Sequence, residues 1–496
     1  MNFLLQMTSF DSIIKQCMHI DSVFGRERRV SVDGAFFISC FLPVVMAAYW
    51  LVRNNKARNV LLLAAGLVFY SFGSLSGLAL LLAAAAVNYG LGLLVMRGKG
   101  AKAFAGLAVA LNLAFLCAFK YLNFLLAELG GLFCFSAPQL DLAAPIGISF
   151  FTFKCISYIV DTYRKPEKGT KNFFDLLLYI SFFPQVMAGP ITRFDAFGAQ
   201  LANRKSDVTT AAKGVRRFIV GLSKKLILAG TFSKAVDAVF ALDAGVLDAR
   251  LAWVGAIGYM LQIYFDFSGY SDMAIGLGQV FGFTTPENFD YPYIATSITD
   301  FWRRWHISLS GWFKDYLYIP LGGNRKGKFR TALNKFIVFA LCGLWHGSAW
   351  TYLAWGAWHG IFSGLESSRV INVKKLNSSK VGSILARVYT LLVVGVAFVM
   401  FRASSFAEGF TVLGAMFTGF RVTAAGTVAL HQILDVQQMV LMVVGTVLTT
   451  PLFKKWLGSR EGVWEVLSYA GCLILFVICI MKLAVGGFAP FIYTQF

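Results

Sequence analysis

The sequence predicts an all-α membrane protein that crosses the bilayer many times. Of its 496 residues, 57% are hydrophobic and only 14% are charged, and the mean hydropathy of +0.65 is well above that of a soluble domain. Inside a bilayer every backbone N–H and C=O must be bonded within the protein, and long apolar runs satisfy this requirement as helices. We therefore expect about 11 transmembrane helices, with re-entrant and interfacial helices among them.

Apolar runs that span the bilayer, or nearly span it, follow one another from residue 35 onwards. A hydrocarbon core about 30 Å thick needs roughly 20 helical residues, so the shorter runs predict re-entrant or broken helices. Breaks around one such element are predicted at Pro145, Gly147, Pro184, Gly189 and Pro190. Irregular backbone is tolerated at this depth only beside protein or a water-filled cavity, which indicates an internal tunnel. The runs lie at about 35–52, 59–73, 76–96, 103–127, 143–160, 173–191, 215–240, 251–283, 335–363, 382–402, 408–420, 436–453 and 463–488.

The chain divides into a short leader and one transmembrane domain. Residues 1–34 mix acidic and basic side chains, and we expect an interfacial or extramembrane leader rather than a cleaved signal peptide. Residues 35–496 contain no internal repeat and no low-complexity linker, so they are expected to form a single domain. The eight cysteines are scattered without a C-x-x-C pair, which favours buried thiols over disulfides or a metal site.

The formal charge of +20 reflects 45 Lys and Arg against 25 Asp and Glu. The basic residues occur in short clusters between apolar runs, which is the pattern of the positive-inside rule and not of nucleic-acid binding. The clusters are therefore predicted to face the cytoplasm. They are Arg53/Lys56/Arg58, Arg97/Lys99/Lys102, Arg164/Lys165/Lys168/Lys171, Arg204/Lys205/Arg216/Arg217 and Arg325/Lys326/Lys328/Arg330/Lys335.

The stretch from Trp302 to Gly360 places three of the five histidines among tryptophans. An ionisable residue costs several kcal/mol at bilayer depth, so it is usually retained there for a function. On a helical wheel Trp302 and Trp305 share an aromatic face opposite Arg303, which predicts an amphipathic helix with His306 at the edge of the aromatic face. The alternative is an interfacial helix whose histidine only bonds a neighbour.

His346 is the strongest candidate for catalysis. An uncharged run leads to it from Lys335, and at 1.5 Å per residue it lies about 16 Å deeper, near the middle of the membrane in an upright helix. Burial disfavours the imidazolium ion, so the ring should be neutral and able to accept a proton, as a general base must be. A hydrogen-bonded core histidine is the alternative.

The spacing of the histidines argues against several other sites. On a continuous helix His359 lies about 220° around the axis from His346, so it should face away unless the segment 347–356 breaks the helix. Neither this spacing nor that between His306 and His346 fits a helical metal pair, and no metal site is predicted. The sequence contains no H-E-x-x-H, no G-x-S-x-G and no Walker loop. The chemistry that remains compatible with the sequence is base-assisted transfer of an acyl group or of a proton.

Several long segments together resemble the bacterial branch of the membrane-bound O-acyltransferase family. The resemblance runs from about residue 35 to beyond 400 and is strongest to the alginate-type, polysaccharide-acetylating members; the teichoic acid D-alanyl transfer members are more distant. The segments are PIGISFFTF from Pro145, FPQVMAGPITRF from Phe183, QIYFDFSGYSDMAIG from Gln262, WRRWHISLSGWFKDYLYIPLGGNR from Trp302 and LWHGSAW from Leu344.

The resemblance implies a ring of helices around a central funnel, with a catalytic region at about 262–363. His346 would be the general base at the centre, and His306 would orient or polarise the reacting groups. The basic residues Arg325, Lys326, Lys328 and Arg330 are the expected mouth for the donor. The residues expected to line the tunnel are Asp266, Trp302, Trp305 and Trp345, although Asp266 is equally suited to a structural ion pair.

The implied reaction moves an acyl group, acetyl in the simplest case, from a cytoplasmic thioester to an extracytoplasmic polysaccharide. The donor would be acetyl-CoA or an acyl carrier thioester, with no tightly bound cofactor. An SGNH-type acyltransferase outside the membrane would be the partner, and the protein would be a multi-pass component of the inner membrane.

Two alternatives stay open. The same fold could move D-alanine from a carrier protein to teichoic acid, which the donor that supports turnover would distinguish. A non-enzymatic transporter could use the histidines as a proton relay, and it would move its substrate without making an acyl bond.

Overall fold

The computed structural model describes residues 31–453 and 462–485, and these residues are predominantly helical, with no strand among them. Residues 1–30, the main part of the predicted leader, lie outside the described residues. Asp33 is fully buried, and its carboxylate lies 3.3 Å from the Lys225 ammonium. The chain therefore enters the packed core before the first apolar run begins.

Ten helices occupy the first half of the described chain, and short π-helical turns at Phe37–Phe41 and Lys224–Ala229 adjoin α1 and α10. They are α1 Leu42–Leu51, α2 Asn55–Ser71, α3 Leu75–Met96, α4 Ala101–Lys120, α5 Leu122–Phe133, α6 Ile148–Arg164, α7 Phe173–Ser181, α8 Phe194–Asn203, α9 Val208–Ser223 and α10 Gly230–Phe240.

The second half contains the helices that carry the histidines, and another π-helical turn, Lys314–Tyr318, follows α13. The helices are α11 Ala249–Val280, α12 Ile298–Arg304, α13 Ile307–Phe313, α14 Gly327–His346, α15 Trp350–Ser368, α16 Val373–Leu376, α17 Lys380–Arg402, α18 Phe406–Thr418, α19 Ala424–Ile433, α20 Val436–Leu448 and α21 Val463–Ala484.

Four helices of the described chain are long and apolar enough to cross a bilayer. They are α3, α4, α17 and the Trp464–Ala484 part of α21, and the pair α19–α20, bent by 70°, counts as a fifth if it is one span. The expected number of about 11 spans stays a prediction. The break predicted at Pro184 and Pro190 is confirmed, because α7 ends at Ser181 and the buried chain from 182 to 193 is not helical.

The longest helix, α11, lies at the centre of the core, and most of its residues are buried. It packs against α9 through paired glycines. A Cβ added to Gly276 would lie 2.5 Å from the Gly214 carbonyl oxygen, and one added to Gly221 would lie 2.5 Å from that of Gly269. The two backbones therefore touch, which is the close approach that small residues permit between membrane helices.

Two basic clusters of the sequence meet where α2 begins and α8 ends, and we call this region the basic end. Asn55 at the start of α2 donates to the Arg204 carbonyl at 3.1 Å. Arg164 at the end of α6 donates to the Asp315 carbonyl at 2.9 Å, and Arg193 pairs with the Asp315 carboxylate at 3.1 Å. Helix α14 begins at Gly327, after Asp315 in the chain, and ends at the buried His346.

Candidate active site

Helices α14 and α15 form an antiparallel hairpin with its turn at 347–349. Their backbones touch, since a Cβ added to Gly356 would lie 2.3 Å from the Phe339 carbonyl oxygen. His346 is the last residue of α14 and is 3% exposed. The hairpin thus holds the candidate base at its inner tip.

Two residues of the α4 terminus, which the sequence analysis missed, hold the last turn of α14. The Lys120 ammonium donates to the carbonyl oxygens of Trp345 and His346, the latter at 3.0 Å. The Tyr121 hydroxyl donates to the Leu344 carbonyl at 2.6 Å. The last carbonyls of a helix have no partner within the helix, and a cation complements the negative end of its dipole. These bonds fix the position from which the His346 ring projects.

The chain breaks at His306, so the continuous amphipathic helix predicted from Trp302 is wrong. Helix α12 ends at Arg304, α13 begins at Ile307, and His306 has the left-handed backbone conformation with φ of +44°. A non-glycine residue rarely adopts this conformation unless its surroundings impose it. The periodicity of the side chains predicted the aromatic face but not the break.

Asn288 imposes the break. Its backbone carbonyl accepts from the Ile307 N–H at 2.9 Å, and its side-chain oxygen accepts from the Ser308 N–H at 3.1 Å and hydroxyl at 2.9 Å. The same oxygen lies 3.2 Å from His306 Nδ1. Since an amide oxygen only accepts, Nδ1 carries the proton and the lone pair of a neutral ring is at Nε2.

The three histidines lie in a row in which indole rings separate them. Ring centroids of His306 and Trp345 are 6.4 Å apart, and those of Trp345 and His346 are 4.9 Å apart. The row continues through Trp355, which lies 5.0 Å from His346 and 5.1 Å from His359. The helix breaks at 347–349, which is the exception left open by the sequence, so α15 folds back and His359 does not face away from His346.

His359 is fully buried, but its bonding differs from that of a base. The indole N–H of Trp302 donates to its Nδ1 at 3.4 Å, which leaves the ring hydrogen on Nε2. Within the described chain Nε2 has no hydrogen-bond acceptor. The lone pair of His359 is thus engaged by Trp302.

A cavity of about 200 Å³ opens between the α12–α13 segment and the α14–α15 hairpin. Its lining is mostly apolar, but it includes the cationic side chains of Arg303, Lys314 and Lys335. At its inner part it is lined by Trp302, in the histidine row, and by Cys342, one helical turn before His346. We call it the thioester cavity, for the use proposed below.

The predicted site residues are only partly assembled around the row. Trp302 and Trp345 belong to it, whereas Trp305 packs among Phe289, Phe301 and Phe398. Asp266 makes a buried ion pair with Lys225 at 2.6 Å.

The predicted donor mouth is separate from the lining of the thioester cavity. Its four basic residues are exposed and lie before or in the first turn of α14. Sequence reasoning missed Arg303 and Lys314 as lining residues because their partners in the cavity come from the distant α14. The four exposed residues are Arg325, Lys326, Lys328 and Arg330.

Comparison with known proteins identifies the fold. The sequence model of the "MBOAT, membrane-bound O-acyltransferase family" matches residues 111–368, more than half of the chain and all three histidines of the row. The chain belongs to the membrane-bound O-acyltransferase family. The resemblance noted in the sequence is confirmed, and the protein is an O-acyltransferase.

Curated relatives cover most of this acyltransferase. A Pseudomonas putida protein named "Probable alginate O-acetylase AlgI" is 39% identical over 488 residues, covering 93% of this chain and 99% of the relative. A Helicobacter pylori protein named "Peptidoglycan O-acetyltransferase" is 34% identical and covers 77% of this chain and 78% of its own length. The "Teichoic acid D-alanyltransferase" of Bacillus subtilis is 31% identical but covers only 45% of this chain and 59% of its own.

Proposed function

We propose that this acyltransferase passes an acetyl group from a cytoplasmic thioester to hydroxyls of an extracytoplasmic polysaccharide, with His346 as general base. The observation that supports this proposal most directly is the burial of His346 at the end of α14. His346 lies one helical turn beyond Cys342, which lines the thioester cavity. By the positive-inside rule the basic end faces the cytoplasm. The relatives named for acetylation of alginate and of peptidoglycan support a polysaccharide acceptor.

The thioester cavity suits the donor. Its apolar body fits the arm of acetyl-CoA or of an acyl carrier thioester, and cations at its lining attract the phosphates that such donors carry. Arg303 and Lys314 are exposed and Lys335 is half-buried. The acyl carbon would then enter toward Cys342 and the histidine row.

Replacing Arg303, Lys314 and Lys335 together by glutamine should raise the apparent KM for acetyl-CoA at least tenfold and leave kcat nearly unchanged, because attraction to the phosphates is lost and the chemistry is not. The increase should shrink at high salt. Initial-rate kinetics of the purified enzyme measure both constants. The matched control neutralises the exposed cluster of Arg325, Lys326, Lys328 and Arg330, which should raise KM less. A fall in kcat at constant KM would contradict the assignment of the donor entry.

The reaction at His346 is a base-assisted acyl transfer. The neutral ring takes the proton of the acceptor hydroxyl as its oxygen adds to the thioester carbonyl. The resulting tetrahedral oxyanion collapses, the C–S bond breaks, and the imidazolium returns the proton to the departing thiolate. The products are an ester and a free thiol, and the histidine is regenerated.

The oxyanion needs donors beside His346, and two indole N–H groups meet that need. Nε1 of Trp345 and Nε1 of Trp355 are buried, and within the described chain neither has a hydrogen-bond acceptor. Buried indole N–H groups normally find a partner. Because both rings contact His346, we assign them to the oxyanion.

His306 would orient the acceptor. Its Nδ1–H is directed to Asn288, so the lone pair of the neutral ring is at Nε2, which is the atom that would accept a hydrogen bond from the attacking hydroxyl. We expect His306→Ala to lower kcat at least tenfold, a loss of about 1.4 kcal/mol of transition-state stabilisation. Asn288→Ala should cause part of the same loss, because the ring is no longer held. Single-turnover rates of both variants measure this, and a smaller loss in a folded His306→Ala protein would reduce His306 to a structural residue.

The final acceptor lies outside the membrane, and we propose an SGNH-type acyltransferase partner there that takes over the acyl group; this step rests on the family resemblance. Mass spectrometry of envelope polysaccharide from cells with and without the enzyme tests the function as a whole. Loss of O-acetyl groups is expected. Loss of D-alanyl esters, or turnover with a D-alanyl carrier protein in place of acetyl-CoA, would favour D-alanyl transfer. Movement of a substrate without any new ester would favour a transporter.

A further inference from the structure

A second cavity, of about 520 Å³, lies at the basic end and shares no lining residue with the thioester cavity. It is formed by α8, α9, the last turns of α11 and the loop that follows α11. Its lining is polar and includes the cations Arg204, Lys205 and Arg217 together with one acid, Glu287. The catalytic proposal above does not use it.

Arg204 is built into the wall of this cavity and is 6% exposed. Its Nε donates to the Tyr49 hydroxyl at 3.2 Å, and its Nη1 donates to the Asn59 side chain and, at 3.1 Å, to the Leu201 carbonyl. The Phe283 ring lies 4.6 Å from the guanidinium carbon. All these partners are neutral. Among the described residues Nη2 has no acceptor, and no carboxylate pairs with Arg204.

The charge of the cavity is therefore unbalanced. Arg217 is neutralised, because it pairs with Asp272 at 2.8 Å and with Glu287. Lys205 is exposed and makes no ion pair within the described chain. A buried cation without a counter-charge is costly, so Arg204 favours a negative charge in the cavity, and the exposed Lys205 can pair with a second one.

We propose that this cavity binds a phosphate group. A phosphate monoester carries about −1.5 to −2 charges near neutral pH and offers three acceptor oxygens, which match the ammonium of Lys205 and the charge of Arg204, whose buried Nη2 has no acceptor among the described residues. Thr210 and Gln279 supply neutral donors on the same wall. A phospholipid headgroup of the cytoplasmic leaflet and a soluble phosphate ester share this chemistry.

The test uses the full-length enzyme, purified in a phosphate-free detergent and delipidated. It is titrated with inorganic phosphate and, separately, with short-chain phosphatidic acid, and the dissociation constants are measured by calorimetry. We expect at least one probe to bind the wild type with a Kd at least tenfold lower than Arg204→Gln. Because Arg204 also supports neighbouring residues, Lys205→Ala provides a second variant with an exposed side chain, and it should weaken binding at least threefold. Lys171→Ala, an exposed lysine of another basic cluster, is the control and should bind like the wild type.

Binding of phosphatidic acid alone would identify a lipid site, and binding of inorganic phosphate alone would identify a site for a soluble ester. Both results support the proposal. It is overturned if neither probe binds, or if the folded Lys205→Ala and Lys171→Ala variants lose affinity equally, since the attraction would then come from the general charge of the basic end.

Discussion

Replacing His346 by alanine should remove all detectable O-acylation while the protein still folds. A general base contributes about 10²- to 10⁴-fold to the rate, and alanine has no lone pair to replace the one that is lost. His346 is the terminal residue of α14, and the bonds from Lys120 and Tyr121 to this turn are to backbone carbonyls. The helix end therefore survives loss of the ring. O-acetyl content of envelope polysaccharide and single-turnover transfer from acetyl-CoA are the measurements.

His359→Gln is the matched control for this experiment. It removes a histidine from the same row, one that also contacts Trp355, but whose Nδ1 lone pair already accepts from Trp302. Glutamine keeps an acceptor for that N–H. We expect the control to retain activity within about tenfold of the wild type. A normal rate for a well-expressed His346→Ala protein would remove His346 from the mechanism, and an inactive but folded His359→Gln protein would assign the proton transfer to His359 instead.

Much of the architecture was predictable because it follows from local composition. Continuous apolar runs gave α3 and α17 nearly at their observed bounds, since a membrane helix satisfies its backbone bonds within one segment. The run predicted at 103–127 is divided between α4 and α5, because the helix ends at Lys120. Prolines and glycines between 184 and 190 gave the break after α7. The uncharged run before His346 is helical as expected, because nothing within it interrupts the backbone ladder.

Most of the site features that were not predicted depend on contacts between distant parts of the chain. Wheel geometry assumes a continuous helix, and the Asn288 side chain breaks that helix at His306 from a loop that the wheel does not include. His359 returns to the row through a turn at 347–349. Lys120 was visible only as a charge near the end of an apolar run, and its bonds to the α14 terminus connect helices that are far apart in sequence.

Replacing Trp355 by phenylalanine should lower kcat by about a hundredfold or more and change KM for the donor little. Removal of one oxyanion donor costs about 10²- to 10³-fold in kcat in an acyl-transfer enzyme, and phenylalanine removes the N–H but keeps an aromatic ring between His346 and His359. In the proposed mechanism the donor binds in the thioester cavity, which Trp355 does not line. Trp345→Phe should have an effect of the same kind. Steady-state kinetics with acetyl-CoA separate the two constants.

The control must remove the same indole group without removing an oxyanion donor, and Trp305→Phe does so. Trp305 is 2% exposed and is as tightly packed by aromatic rings as Trp355, but within the described chain it makes no ring contact with His306, His346 or His359. Both variants lose similar packing, so both should lose similar thermal stability. If Trp305→Phe lowered kcat as much as Trp355→Phe, the loss would come from packing of the aromatic core, and the oxyanion would have to be met by backbone N–H groups. If only Trp345→Phe and Trp355→Phe lower kcat, the transition state is held by the two indoles that flank His346, because those N–H groups are what distinguish these residues from the control.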